Sequence, residues 1–348
     1  MERPVADAVS DESPSDPQGF AIGGIRIEPN VILAPMSGIT DSTYRAFVKE
    51  ANPGAVGLVV TELISIEALA RHDLKTHRML SYLPHERPLA MQLFGAQPTR
   101  MGEAAAIAQD LGADIIDVNC GCPAPKVTKR GGGAGLMREP DVLRDILRAL
   151  RRTLTIPYTV KLRAGWDDAS RNAVEVARMA EGEGAAMIAV HGRTRKELYS
   201  GDADWDLIAE VKRAVRVPVV GSGDIMTAAQ GVQRLNDGGV DGVMIGRGTL
   251  GNPWIFREMA ALRRGETPPV VSSRARFLAI DALIARLAAV LHPSTAIGRA
   301  RGLGCRMVKY VHGGAQIRAL ISRAPSVDAM RVILQEHAER APTDDLAA

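Results

Sequence analysis

Cysteine is scarce in this chain. Three occur in 348 residues, and two of them, Cys120 and Cys122, stand one residue apart in DVNCGCPAP (117–125). Three thiols cannot build a disulfide framework, and a bridge between Cys120 and Cys122 would close a strained ring. A reducing, cytoplasmic setting is expected. No Cys/His set has zinc-like spacing, so no metal site is expected. Long apolar runs are missing too: none approaches the roughly 18 residues that span a membrane. Nor is charge of one sign in large excess. The formal net charge is +3, so any nucleic-acid contact has to come from a local basic surface. Residues 1–18 are acidic and Pro/Ser-rich, without the basic and apolar regions of a signal peptide. A disordered tail is expected there.

What the chain does have is regular alternation. Eight short apolar runs are VILAP (31–35), VGLVVTE (56–62), PLAMQLF (88–94), DIIDVNC (114–120), YTVKLR (158–163), AMIAVHG (186–192), VPVVGSG (217–223) and DGVMIG (241–246). Consecutive apolar residues are the mark of parallel strands covered on both faces. Between the runs lie helical patterns such as 99–112 and 172–184, which close on glycine. The sequence is therefore read as α/β, a (β/α)8 TIM barrel, with a doubly wound open sheet as the alternative. After Phe256 the pattern changes. GETPPVVSS (265–273) reads as a linker, and 274–291, 295–313 and 326–340 read as three amphipathic helices forming a C-terminal helical domain.

Polar groups gather at the ends of the runs: Pro35-Met36-Ser37, Glu62, Gln92, Asp117 and Asn119, Lys161 and Arg163, His191, Ser222-Gly223-Asp224, and Gly246-Arg247. In a barrel, the C-terminal strand ends form the face that carries active sites. The last two runs lead into GSGD (221–224) and IGRG (245–248), where barrels often cradle a phosphate on backbone N–H groups and a helix N-terminus. Arg247 adds directed donors. A phosphate there, with Gln92 and Lys161 in the mouth, suits a flavin mononucleotide (FMN). Gln92 would meet the polar edge of the ring, Lys161 the N1/O2 side where reduction places negative charge, and His191 the phosphate or the ring. Schiff-base chemistry at Lys161 is the rival.

A thiol is mostly protonated near neutrality and serves as a general acid when held over a carbon that needs a proton. Cys122 lies further out on the loop than Cys120 and is the expected acid. Cys120 is expected to be a buried thiol and Cys305 a packing residue. Asn119 either supports the loop or contacts flavin or substrate.

These residues resemble the tRNA-dihydrouridine synthase family, most closely its bacterial B-type subfamily. The resemblance rests on LAPMSGITDSTYR (33–45), MQLFG (91–95), DVNCGCPAPKVTKRGGGAGLM (117–137), VKLRAGW (160–166), VHGRTRKELYSGDADW (190–205), GSGDI (221–225) and DGVMIGRGTLGNPWIF (241–256). It implies FMN bound by Pro35, Met36, Ser37, Gln92, Lys161, His191, Ser222, Gly223, Asp224, Gly246 and Arg247, and Cys122 as proton donor. Ser222 stands where the family usually has asparagine. The implied activity is reduction of the C5–C6 double bond of uridine in tRNA, with NADPH or NADH reducing FMN first and the target base extruded into the barrel mouth.

Such a substrate needs basic surface. Asn119, Lys126, Lys129, Arg130, Arg193, Arg306 and Lys309 are the expected tRNA contacts, with further basic residues at Arg195, Lys196, Arg299, Arg301 and Arg318. The expected organisation is a tail at 1–18, an FMN-binding barrel at 19–256 and a helical tRNA-binding domain at 257–342, in a monomer. A dihydroorotate dehydrogenase-like reductase of small molecules and a non-catalytic RNA-binding barrel are the competing functions.

Overall fold

In the computed structural model, which describes residues 19–341, each of the eight apolar runs supplies one parallel strand. The expected tail at 1–18 lies outside the described residues. A short antiparallel hairpin comes first, β1 (Phe20–Ile22) and β2 (Ile25–Ile27). The barrel follows with β3 (Val31–Leu33), β4 (Leu58–Val60), the two-residue β5 (Ile64–Ser65), β6 (Leu89–Phe94), β7 (Ile115–Cys120), β8 (Tyr158–Arg163), β9 (Ile188–His191), β10 (Val219–Ser222) and β11 (Gly242–Ile245). Pairing of β4 with β6 and of β11 with β3 closes the ring. An open doubly wound sheet is thereby excluded. Strand β5 lengthens the wall beside β6, pairing Ile64 with Leu93 and Ser65 with Phe94.

Alternation along each strand sorts the side chains into two layers. Leu33, Val59, Met91, Val118, Val160, Val190 and Val243 point outward into one buried cluster shared with the surrounding helices. Ile32, Leu58, Val60, Ala90, Ile115, Ala189, Val220 and Met244 point inward and form a second cluster. The hairpin plugs the lower end of that interior: Ile22 and Ile27 belong to the inner cluster and are fully buried. This plug was not foreseen from the sequence, because two three-residue strands carry almost no periodic signal. With the lower end closed by apolar residues, open space remains at the C-terminal end of the strands.

Local signals set the helix ends. Asp41 caps Ser42–Ala51 by accepting the Tyr44 N–H at 3.0 Å. Ala173–Glu183 stops at Gly184, whose φ of 109° suits glycine. Among the described residues the tail holds four α-helices after the linker rather than three: Ser273–Val290, Pro293–Met307, Gly314–Arg323 and Val327–Arg340. The expected segment 295–313 ends at Met307 and runs through a 3-10 turn, Val308–Tyr310, before Gly313 at φ 69° starts a new helix. Its two adjacent glycines disguised that start.

The tail is docked on the barrel. Phe277, Ile280 and Ile284 join the outer cluster. Arg276 lies 4.6 Å above the Trp254 ring and donates to the Gly251 carbonyl at 3.1 Å. Arg286 pairs with Glu50 at 2.7 Å, and Arg299 pairs with Asp41 and reaches Glu62 at 3.4 Å. The 3-10 turn thus comes to rest at the barrel mouth. Among the described residues, no helix is long and apolar enough to cross a membrane.

Candidate active site

A cavity of about 600 Å³ opens at the C-terminal end of the barrel. Strand parity decides who faces it. Gln92 lies two residues after the inward Ala90, His191 two after Ala189 and Ser222 two after Val220, while Asn119 lies two steps of two after Ile115, above the inward but fully enclosed Asp117. All eleven residues expected to bind FMN line this cavity, and so do Cys122 and Asn119. Cys120 has the opposite parity. It is fully buried among the outer helices, and burial pushes its thiol well above the usual range. Cys122 lies past the strand end and is only half-buried. The two neighbouring cysteines therefore occupy different environments, one in packing and one on the cavity wall.

A buried polar chain fixes this wall. The Thr159 hydroxyl and the Gln92 amide nitrogen each donate to the Asp117 carboxylate at 2.6 Å. Asn119 Nδ2 donates to Gln92 Oε1 at 2.7 Å. Asn119 Oδ1 in turn accepts the backbone N–H groups of Gly121 at 3.2 Å and Cys122 at 2.9 Å. Burial raises the Asp117 pKa, against the hydrogen bonds from Gln92 and Thr159 and the charge of Lys161. Asn119 thus supports the loop, one of the alternatives open from the sequence. From the far side, Arg163 Nε donates to the Gly121 carbonyl at 2.7 Å, and its Nη1 to Thr194 and Leu198 carbonyls at 2.8 and 3.1 Å. Its place was legible in YTVKLR, since it shares the parity of Lys161, but its carbonyl partners lie on other loops and leave no mark in that run.

Positive charge dominates the cavity. Among the described residues the Lys161 amine has no hydrogen-bond or ion-pair partner, and burial, aided by Arg163, lowers its pKa to about 8. His191 is lowered to about 2 by burial and by Lys161, Arg163, Arg193 and Arg247, so it is neutral at working pH. Its Nε2 is buried with no partner among the described residues. An unsatisfied buried nitrogen is costly, and here it lies in a cavity-lining residue. Asp224 is the acidic counterweight. It adopts φ 54°, a conformation Asp tolerates better than most residues. Its carboxylate accepts from Arg193 at 2.9 and 2.6 Å, from Arg247 at 3.0 Å and from the Ala203 N–H at 2.8 Å. Although desolvation raises its pKa, these partners hold it below the ordinary value. Arg247 lies 4.4 Å above the Tyr199 ring.

Several basic residues belong elsewhere than expected. Arg193 is 2% exposed and spends its guanidinium on Asp224 and the Ser200 and Gly201 carbonyls, so it does not offer a surface charge to RNA phosphate. Arg195 stacks on Trp166 at 4.8 Å, Lys196 pairs with Asp167 at 2.8 Å, and Arg301 donates to the Ala324 carbonyl at 2.6 Å. Arg306 and Lys309 do reach the cavity mouth, together with Tyr310. Lys126, Lys129 and Arg130 are exposed on the loop after Cys122. The helix after β11 has only four residues, Gly248–Gly251, so Arg247 and the loop backbone, rather than a helix N-terminus, are the donors there.

A closed β/α barrel with a half-buried thiol and a cluster of basic side chains in one mouth has the form of a barrel enzyme whose site suits an anionic, polar ligand. Its relatives are specific. A sequence model described as Dihydrouridine synthase (Dus) matches residues 32–341. A probable tRNA-dihydrouridine synthase of Rhodobacter capsulatus is 44% identical over 259 residues, covering 74% of this chain and 79% of that protein. The tRNA-dihydrouridine synthase B of Xanthomonas campestris pv. campestris is 41% identical over 239 residues, 69% of this chain and 71% of that one. The chain belongs to the dihydrouridine synthase family. Among solved structures, a 2-naphthoyl-CoA reductase complex superposes with a TM-score of 0.58 at 12% identity, over 92% of this chain and 69% of that one. Histamine dehydrogenase from Rhizobium sp. 4-9 gives 0.56 at 13%, over 77% and 50%. At such identities these two speak for the fold alone.

Proposed function

We propose that this chain is a tRNA-dihydrouridine synthase that uses FMN, takes its reducing equivalents from NADPH or NADH, and donates the proton from Cys122. The observation that carries the reading is the shared cavity. The half-buried Cys122, the unpaired Lys161 amine and the partnerless His191 Nε2 line one space of about 600 Å³.

The residues fit a flavin phosphate ester. Arg247, braced by Asp224 and Tyr199, suits the phosphate. Glycine is required close by: a side chain on Gly223, at φ 138°, would strike Ala203 and stand 3.7 Å from the His191 ring. Pro35, Met36, Ser37, Ser222 and Gly246 complete the proposed contacts. When bound, the flavin supplies a hydride to C6 of the uracil. Lys161 would supply positive charge to the bound flavin, and the neutral His191 would offer Nε2 as a hydrogen-bond partner. Gln92, locked by Asp117 and Asn119, presents its amide in one orientation. The Cys122 thiol delivers its proton to C5, and the thiolate left behind recovers a proton from solvent. Hydride plus proton balance the reduction of the C5–C6 bond.

The target base is reached only when unstacked. The tail, proposed as the tRNA-binding unit from residue 257 onward, contributes Arg306 and Lys309 to the mouth, and the exposed Lys126, Lys129 and Arg130 follow Cys122 on its loop. A protein of this kind would work in the cytoplasm.

The test is a single turnover without oxygen. Flavin in the purified protein is reduced, and tRNA lacking dihydrouridine is added to wild type and to Cys122→Ala. Fast reoxidation with new dihydrouridine in the wild type, lost in the variant, is expected. Reoxidation indifferent to tRNA would reject the reading in favour of a small-molecule reductase.

A further inference from the structure

The cysteine loop has a second face. Beyond Pro123 it turns away from the barrel axis, and Lys126, Val127 and Arg130 form one wall of a separate cavity of about 700 Å³. The end of β6 supplies the facing wall through Phe94 and Gly95, and Arg71 closes the rim from the segment after β5. Lys126 and Arg130 are proposed above as tRNA contacts, but the space itself has no occupant in that reading.

Its charge is unbalanced. Three cations meet one acid, Glu67, which already pairs with Arg71 at 3.7 Å. Lys126 and Arg130 make no ion pair or side-chain hydrogen bond within the described protein, and Phe94 and Val127 line the same space. Cations gathered over an aromatic and aliphatic wall match a ligand with a flat ring at one end and phosphate at the other. A bare phosphate would leave most of the space empty, whereas ligand cavities of roughly 300–1,000 Å³ hold molecules of nucleotide size. The backbones also come close here. A Cβ on Gly132 would stand 3.3 Å from the Gly95 Cα, so neither strand end nor loop projects a side chain between them.

This cavity and the catalytic one share their partition. Gln92 lines the first and Phe94 the second from the same strand. Cys122 lines the first and Val127 the second from the same loop. A Cβ built on Gly133 would lie 2.8 Å from Val127 Cγ1 and 3.1 Å from Cys122 Cβ, so the two side chains abut through one glycine. The second cavity and the loop of the proposed proton donor thus share one wall.

We propose that this second cavity binds a phosphorylated nucleoside, its ring against Phe94 and Val127 and its phosphate on Lys126, Arg130 and Arg71, and that its occupancy sets the position of the Cys122 loop. The inference rests on the synthase reading. Two sources carry that chemistry: a nucleotide of the tRNA strand flanking the target, and the adenosine phosphate end of the nicotinamide reductant.

The experiment uses the flavin-loaded protein and the double variant Lys126→Glu/Arg130→Glu, with Arg71→Glu as an independent surface change should the double variant fold poorly. Flavin bleaching is followed against NADPH concentration without tRNA, reoxidation of pre-reduced flavin against tRNA concentration, and inhibition of each by adenosine 2′,5′-bisphosphate. A rise of about tenfold or more in the half-saturating concentration of one partner, with a shallower salt dependence, supports the site and names its source. Unchanged concentration dependence in both half-reactions overturns it. If wild-type flavin is bleached by NADPH but never reoxidised by tRNA, the synthase reading fails, while the bleaching and inhibition data still report on the cavity.

Discussion

Asn119 Oδ1 accepts the backbone N–H of Cys122 at 2.9 Å, while Asn119 Nδ2 donates to Gln92 at 2.7 Å. One amide thus ties the proposed proton donor to the barrel interior, through Gln92 and Asp117 to Thr159. The loop that carries Cys122 is positioned by a strand residue, and its geometry is inherited from the barrel.

Asn119→Ala therefore separates position from chemistry. The thiol remains, but two loop N–H groups and the Gln92 oxygen lose their partner, at a cost of about 1–3 kcal/mol. Dihydrouridine formation by pre-reduced enzyme should slow at least about tenfold, with flavin still bound. A single-turnover rate equal to wild type would show that the loop needs no such tether.

Gly133 is the second support. Its φ of 58° and the nearness of the Cys122 carbonyl, 2.7 Å from any added Cβ, leave room for glycine alone. Gly133→Ala should displace the cysteine loop, reducing dihydrouridine formation more than the rate of flavin reduction by NADPH. Equal losses in both half-reactions would point to general damage.

Lys161 makes a prediction about pH. Burial lowers its pKa to about 8 from the ordinary lysine value of 10.5. Below about 8, folded and unfolded chains both hold the proton, and the flavin-free protein carries the full penalty of an enclosed, unpaired charge. Between about 8 and 10.5 the folded amine gives up its proton first, so stability rises with pH over that window. Lys161→Met should stabilise the flavin-free protein at pH 7 by on the order of 1 kcal/mol, and this gain should shrink as pH passes 8. Thermal unfolding across pH 7–10 measures it; a variant less stable at pH 7 would contradict the assignment. The same variant should bind flavin poorly.

Arg306 and Lys309 stand at the mouth on the tail. Reversing both charges should weaken tRNA binding and flatten its salt dependence by about two phosphate contacts, with flavin content unchanged. Binding isotherms at several salt concentrations that match wild type would remove this turn from the tRNA footprint.

The sequence alone determined a great deal here. Eight apolar runs at even spacing dictate parallel strands, because consecutive buried residues need cover on both faces. Polar residues at their ends dictate a site on the C-terminal face, and Gln92, Lys161 and His191 were legible as its members. Tertiary structure decided what spacing cannot express. The fates of Cys120 and Cys122 depend on which side of β7 each faces and where the strand stops. Arg193 reads as one more basic residue until Asp224, thirty-one positions away, turns it into a buried brace. The β1–β2 plug and the Gly133 contact likewise join residues distant in sequence or too short-ranged to repeat. Periodicity records how a segment meets a surface; it does not record which partner from another segment will be waiting there.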